Sequence, residues 1–374
     1  MSSAKPEDMS HSVNFSEEEK PLDGKDKESD SHDLRLLRAS KNGWTDLVKI
    51  LLSQSDNLDC GRYELFGHTP LTFAASNGHQ EVVRLLLKHG AEVDKKNDSV
   101  PWDSSGFKFQ NTTPLQWAAG EGHATIVRIL LEAGADPNGG EINGNLTPLA
   151  VAAVRGHEET VTVLLEQPDI EFERRCSTQS RPVLSHCVED GQENIVAQLL
   201  AKGADPNLEE EVSGRTPLLW AAENGHTTIV STLLAHGADL NHVDKRHSAL
   251  RHDSDGGQTA LFYAANRGHG DMVKLLIQKG LDPNQLDKAG WTSLGWAIFR
   301  GHVSAVQVLL EHGADADKGK ILGMTPVRKY VKLSLACAGE PARPGFEEIH
   351  EMIQKFCPEE KPPGFFDRVL AMWK

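Results

Sequence analysis

A Gly-His pair, or a near variant of it, recurs along this chain at an almost constant spacing, and that rhythm limits the possible folds more than any other feature. The glycines are Gly43, Gly78, Gly122, Gly156, Gly191, Gly225, Gly268 and Gly301, separated by 35, 44, 34, 35, 34, 43 and 33 residues. Such a period describes one small supersecondary unit copied many times, each copy touching only its neighbours. The 374 residues are many for one globular core but ordinary for a one-dimensional stack. A stack offers a long surface rather than a single pocket, so the question of function moves to that surface.

Each copy reads as two helices and an extended finger. Threonine followed by proline, as at Thr69-Pro70, starts a helix: the hydroxyl caps orphan N–H groups and proline suits the first helical position. Leu71, Ala74, Ala75 and Gly78 fall at i, i+3, i+4 and i+7, an apolar stripe whose small residues let neighbouring helices approach. Gly-His then breaks the chain into a second helix, whose stripe is Val83, Leu86 and Leu87. Gly90, Gly134, Gly203, Gly237, Gly280 and Gly313 stand where a second helix ends in a left-handed residue, and Asp136, Asp205 and Asp282 open Asp-Pro-Asn turns.

The copies share more than their glycines: TPLTFAASNGHQEVVRLLLKHGAEVD begins at Thr69 and TPLQWAAGEGHATIVRILLEAGADPN at Thr113, with kindred runs at Thr147, Thr216, Thr259 and Thr292. This pattern resembles the ankyrin repeat across roughly residues 34 to 356. The resemblance implies an all-α ankyrin-repeat solenoid of stacked helix-turn-helix units with finger loops, about nine units in all. It also implies a protein-interaction role. The expected layout is a disordered acidic tail over 1–32, the solenoid over 33–356 and an amphipathic tail over 357–374. The end units are atypical, as caps should be: Trp44 replaces the first histidine, and the last unit opens at Thr325-Pro326, loses its glycine and resumes in a helix near Phe346 to Phe356. The unit at Gly191 is eroded, with Pro182-Val183 for Thr-Pro, Cys187-Val188 for Ala-Ala and Gln192 for histidine, which predicts looser packing or a bend.

Composition narrows the function classes. A net charge of −15 with no long basic run argues against direct contact with nucleic acid. Five scattered cysteines, no signal-peptide pattern and no apolar run near 18 residues fit a reducing cytoplasmic or nuclear setting without a membrane span. Six of the seventeen histidines are the repeat histidines His79, His123, His157, His226, His269 and His302. Lying one per unit, they cannot share a metal ion, and hydrogen bonds to backbone between units are their expected role. No nucleophile elbow, phosphate-cradling glycine loop or Cys-x-x-Cys pair is present. Only His242, His247 and His252 near Asp244 and Asp253 hint at a metal. The reading is therefore a non-enzyme without cofactor or metal, expected to be a monomer, with a metal-dependent enzyme as a remote alternative.

Partner-binding candidates follow from the helix geometry. The fourth residue after the threonine lies about 200° around the helix from the leucine two residues before it, and with the seventh and eighth forms a second stripe expected on the concave side. There Trp117, Trp220, Tyr263 and Trp296 either anchor a partner or pack edgewise between first helices, with Arg267, Phe299 and Arg300 alongside. Two fingers carry insertions. Lys95 to Asn111 holds Trp102, Phe107 and Phe109, and Val243 to Gln258 holds Lys245 and Arg246. The C-terminal stripe of Phe365, Phe366, Val369, Leu370 and Trp373 either caps the last unit or offers a helix to a partner. These features together predict an adaptor or regulatory subunit that binds one or more proteins. The alternative is a transcription coregulator acting through a DNA-binding partner.

Overall fold

The structure, a computed structural model, describes residues 32–54, 58–59, 67–97, 112–139, 146–172, 181–245, 256–321, 325–326, 331 and 345–356. The two tails and the tips of both inserted fingers, including Trp102, Phe107, Phe109 and Arg246, lie outside the described residues. Helices come in successive pairs. These are α1 (His32–Lys41) with α2 (Thr45–Leu52), α3 (Pro70–Ser76) with α4 (Gln80–Lys88), α5 (Pro114–Gly120) with α6 (Ala124–Glu132), and α7 (Pro148–Val154) with α8 (Glu158–Leu165). They continue with α9 (Val183–Glu189) and α10 (Glu193–Ala201), α11 (Pro217–Asn224) and α12 (Thr227–Ala235), α13 (Ala260–Arg267) and α14 (Gly270–Gln278), and α15 (Ser293–Arg300) and α16 (Val303–Glu311). A last helix, α17 (Phe346–Phe356), packs on α16. First helices pack on first helices and second on second, giving two layers with the core between them.

Local chemistry sets the helix boundaries. Thr69, Thr113, Thr147 and Thr292 are extended N-caps whose side chains accept from the backbone N–H three residues on, and Gln116 closes a capping box by accepting from Thr113 N–H at 2.8 Å. Thr216 and Thr259 keep the same backbone shape without that side-chain bond. The alanine pairs of the first helices are wholly buried, and the bulkier Cys187-Val188 pair of α9 occupies the same interior place.

The Gly-His pair turns out to be an inter-unit device. Each repeat histidine directs Nε2 at a carbonyl near the end of the preceding first helix: His79 at Lys41 (2.9 Å), His123 at Ser76 (3.1 Å), His157 at Gly120 (2.8 Å), His226 at Glu189 (3.2 Å), His269 at Glu223 (2.9 Å) and His302 at Asn266 (2.9 Å). A carbonyl only accepts, so the proton sits on Nε2 and the ring satisfies one of the orphan acceptors that a helix leaves at its C-terminus. The same ring lies flat on the preceding unit's glycine. A Cβ built on Gly122 would sit 2.6 Å from His157 Nδ1, and Gly122 also has φ of +76°.

Gln192 breaks this pattern. Its Nε2 reaches Val154 O at 3.3 Å, its Oε1 is buried with no partner among the described residues, and a Cβ on Gly156 would meet only Gln192 Nε2 at 3.5 Å. The joint between the fourth and fifth units therefore lacks the ring that fills the others. The last unit also departs from expectation. Thr325 and Pro326 pair as a two-residue antiparallel strand with Lys320 and Ile321, so Pro326 is extended backbone rather than the first residue of a helix.

Three substitutions test this joint. Gly122→Ala is expected to cost about 2–3 kcal/mol, combining left-handed strain with displacement of His157, whereas Gly156→Ala meets only the strain, about 1 kcal/mol. Gln192→His supplies the missing ring and should add about 1 kcal/mol. Urea unfolding followed by circular dichroism measures all three, and equal losses at the two glycines would refute the ring contact.

Candidate partner-binding face

Fingers are closed at their base by paired backbone. Asn97 N–H donates to Thr112 O, Glu210 N–H to Arg215 O, Asp244 N–H to Gln258 O and Asp287 N–H to Trp291 O, all within 2.9–3.2 Å. The aromatic four residues after the threonine reaches into this closure. Trp117 Nε1 donates to Thr112 Oγ1 (2.8 Å), Trp220 Nε1 to Glu210 Oε1 (2.9 Å), Tyr263 OH to Asp244 Oδ2 (2.8 Å) and Trp296 Nε1 to Asp287 Oδ2 (3.2 Å). The aromatic rings therefore hold each finger at a fixed angle to its first helix.

This corrects two of the anchor assignments. Tyr263 is 2% exposed and Trp296 7%, so neither presents a face to a partner. Trp296 stacks on Trp291 with ring centroids 4.5 Å apart, and both pack edgewise against Phe299. The physical reason is that the polar tip of each ring needs a partner once buried, and a carboxylate of the finger leading into the same helix supplies it. Trp117 and Trp220 stay half-buried.

From the fifth unit to the seventh the braces merge into one network. Arg181 lies over the Trp220 ring at 4.0 Å, Arg215 over the same ring at 4.5 Å and over Tyr263 at 4.4 Å. Arg181 pairs with Glu210 and Glu189, and Arg215 with Glu223 Oε2 at 2.7 Å while donating to Tyr263 OH at 3.1 Å. Burial pushes the Tyr263 hydroxyl well above the usual tyrosine range, so it remains a donor to Asp244. The stripe pattern includes Glu189 and Glu223, but it does not single out Arg181, Arg215 or Glu210. An arginine directly before the first helix in two consecutive units, at Arg181 and Arg215, is the available signal. The acid lies 5 residues before Arg215 and 4 before Trp291, but the second insertion stretches the Asp244–Gln258 spacing to 14 and hides it.

What stays exposed is a ridge of polar residues eight places after the threonine, with the residue seven places on buried or half-buried beside it. Asn77, Glu121, Asn224, Arg267 and Arg300 are exposed and Phe299 is half-buried. Lys245 is exposed but engaged: its ammonium pairs with Glu209, its backbone N–H donates to Ser213 O at 3.1 Å, and its stem crosses Gly214, tying two fingers together. The suggested metal loop is also committed elsewhere. His242 Nε2 meets Gly214 O at 2.8 Å, and Asp244 accepts from Gln258 N–H and Tyr263, while His247, His252 and Asp253 lie outside the described residues. Among the described residues no three His, Cys, Asp or Glu side chains are placed to hold a metal ion, and no helix is long and apolar enough to cross a membrane.

Two histidines on this face are held neutral. His68, wedged between Phe73 and Trp117, is pushed down to about 4 by burial, and His186 to about 4 by burial and then by Arg181.

Trp296→Ala is expected to cost about 3–5 kcal/mol by urea unfolding, as a buried ring should. An unmoved midpoint would restore Trp296 as a surface anchor. For pH, a histidine whose folded value lies below the unfolded 6.5 leaves the folded chain with fewer bound protons, so stability present above 6.5 is lost as pH falls toward 4. Each such histidine accounts for about 3 kcal/mol at the acid end. The carboxyls of Asp94, Asp190 and Asp287, raised by burial, act the opposite way at the low end, so the test is a difference. His68→Phe should lose less stability than the parent between neutral pH and about pH 5. Parallel losses would exclude His68 as a source of the slope.

Comparison with known proteins agrees with this architecture. A sequence-family model described as ankyrin repeats, three copies, matches residues 22–97, 101–176, 169–244 and 245–320. A stretch of 65 residues, 17% of the chain, is 40% identical to the E3 ubiquitin-protein ligase XBAT33 of Arabidopsis thaliana and covers 12% of that protein. A stretch of 64 residues is 42% identical to the glycerophosphocholine phosphodiesterase GDE1 of Candida albicans, covering 5% of it. Another 65 residues are 38% identical to the probable E3 ubiquitin-protein ligase XBOS32 of Oryza sativa subsp. japonica, covering 13%. The similarity to these proteins is thus confined to a small part of their length. With the family model spanning most of a stack built from capped first helices and interlocked Gly-His joints, the chain belongs to the ankyrin-repeat family.

Proposed function

We propose that this ankyrin stack is a non-catalytic adaptor or regulatory subunit that recognises partner proteins through the exposed ridge of its first helices and through its fingers. The observation that carries this reading is the division of labour on that face. Aromatic and charged side chains that chemistry would use are spent on bracing fingers, whereas Asn77, Glu121, Asn224, Arg267 and Arg300 project one per unit from short, well-packed helices. Rigid elements presenting single side chains at regular intervals suit recognition of an extended surface. The enzymatic names among the relatives do not transfer, because the shared segment covers 5–13% of those proteins. A coregulator role is a special case of the same reading, with a partner making the DNA contact, since a chain of net charge −15 is too acidic to neutralise a phosphate backbone itself.

The ridge assignment is tested by Asn77→Arg combined with Asn224→Arg, both on exposed positions. Affinity capture with quantitative mass spectrometry should return fewer partners than the parent chain, while the thermal midpoint stays in place. An unchanged partner set would reject the first-helix ridge. Stoichiometric zinc or iron in the purified chain would instead favour the metal-enzyme alternative.

A further inference from the structure

Three arginines stand at the same place in their units, eight residues after the helix-opening threonine: Arg155, Arg267 and Arg300. Each leans back over the preceding unit. Arg155 Nη1 donates to Glu121 Oε1 and Gly120 O, both at 2.8 Å. Arg267 grips Glu223 Oε1 through Nε at 3.1 Å and Nη2 at 2.7 Å. Arg300 Nε, in contrast, donates to Asn266 Oδ1 at 2.9 Å. Asn266 occupies in its unit the position that Glu223 holds one unit earlier, seven residues after the threonine. The amide supplies an acceptor but no charge, so among the described residues Arg300 is the member of the series whose guanidinium has no carboxylate.

The surroundings sharpen this difference. Arg267 is adjacent and its side chain is 55% exposed. His302, bonded to the Asn266 carbonyl just below, has its pKa lowered chiefly by burial, against the Asn266 hydrogen bond and with smaller contributions from Arg300, His269 and Arg267, which gather on this side of a chain of net charge −15. Half-buried Phe299 borders the spot, held edgewise by Trp291 and Trp296. A positive, preorganised fork beside an aromatic edge matches a carboxylate next to an apolar residue in an extended peptide. Nucleic acid needs many more cations than two arginines provide.

We propose that Arg300, with Arg267 and Phe299, is the docking point for an acidic peptide segment of a partner protein, whose carboxylate takes the role that Glu223 plays for Arg267. This rests on the interaction reading above and names the partner's chemistry. The full chain is panned against a random-peptide phage library, and the enriched peptides are synthesised for fluorescence anisotropy. Enriched sequences should be rich in Asp and Glu with a flanking apolar residue, and rising ionic strength should weaken them. Arg300→Glu should weaken binding about tenfold. Asn266→Glu, which supplies the missing carboxylate from within, should compete with the peptide and weaken it by a similar factor. Lys274→Glu, the same charge change on the exposed side of α14, should leave it unchanged. Unfolding midpoints of the variants confirm that each is folded. A neutral or basic consensus, no enrichment, or acidic peptides indifferent to both Arg300→Glu and Asn266→Glu overturns the proposal. Peptides that bind but ignore both variants leave the interaction reading standing, which fails only if the parent chain captures no specific partner.

Discussion

The contact of each repeat histidine with the glycine and helix end of the unit before it is the interaction on which the whole stack depends. A single unit of two short helices cannot bury its apolar face alone, so its stability is a property of its interfaces. The imidazole meets three requirements of such an interface at once. It satisfies a helix-end carbonyl, covers a left-handed backbone that only glycine adopts comfortably, and fixes the register of one unit on the next. The bond needs only a proton on Nε2, so it does not depend on a charged ring.

Stability is therefore not uniform along the chain. The joint where Gln192 replaces histidine, leaving a buried amide oxygen without a partner among the described residues, should be the weakest of those described. Immediately beyond it the strongest side-chain coupling begins, with Arg181, Trp220, Arg215 and Tyr263 stacked in alternation and their charges matched by Glu210, Glu223 and Asp244. Buried ion pairs of this kind contribute little net stability against a well-packed apolar substitute, but losing one partner leaves an uncompensated charge. Their effect is to permit one arrangement of fingers and first helices and penalise the others. The fifth to seventh units should open as one cooperative segment and the first four as another.

The fold was legible because its determinants are local and repeated: threonine caps, alanine stripes and the glycine rhythm all recur within one period. The face was less legible. Trp220, Tyr263 and Trp296 share a sequence position and a job, yet differ in exposure because burial depends on what the neighbouring finger brings to them. Tyr263 is covered by Arg215 and Asp244, residues 48 and 19 positions away, and no period relates those pairs once an insertion separates Asp244 from its helix. Thr325-Pro326 failed for the opposite reason. The dipeptide has the right chemistry for a helix start, but a strand pairing with Lys320 and Ile321 claims its backbone.

A repeated scaffold makes small departures informative, because every unit serves as the control for its neighbours. An asparagine on a helix surface ordinarily means nothing. Asn266 acquires meaning because the preceding unit places Glu223 at the same point and Arg267 closes on it, so that Arg300 is left with the geometry of a salt bridge and only half its charge. Gln192 is informative in the same way, against six histidines that complete the contact it leaves unfinished. Both departures are single substitutions that keep the hydrogen bond and discard another property, charge in one case and ring volume in the other. A solenoid can acquire specificity this way without altering its backbone, because the unit on either side already supplies the framework that makes one changed side chain a site.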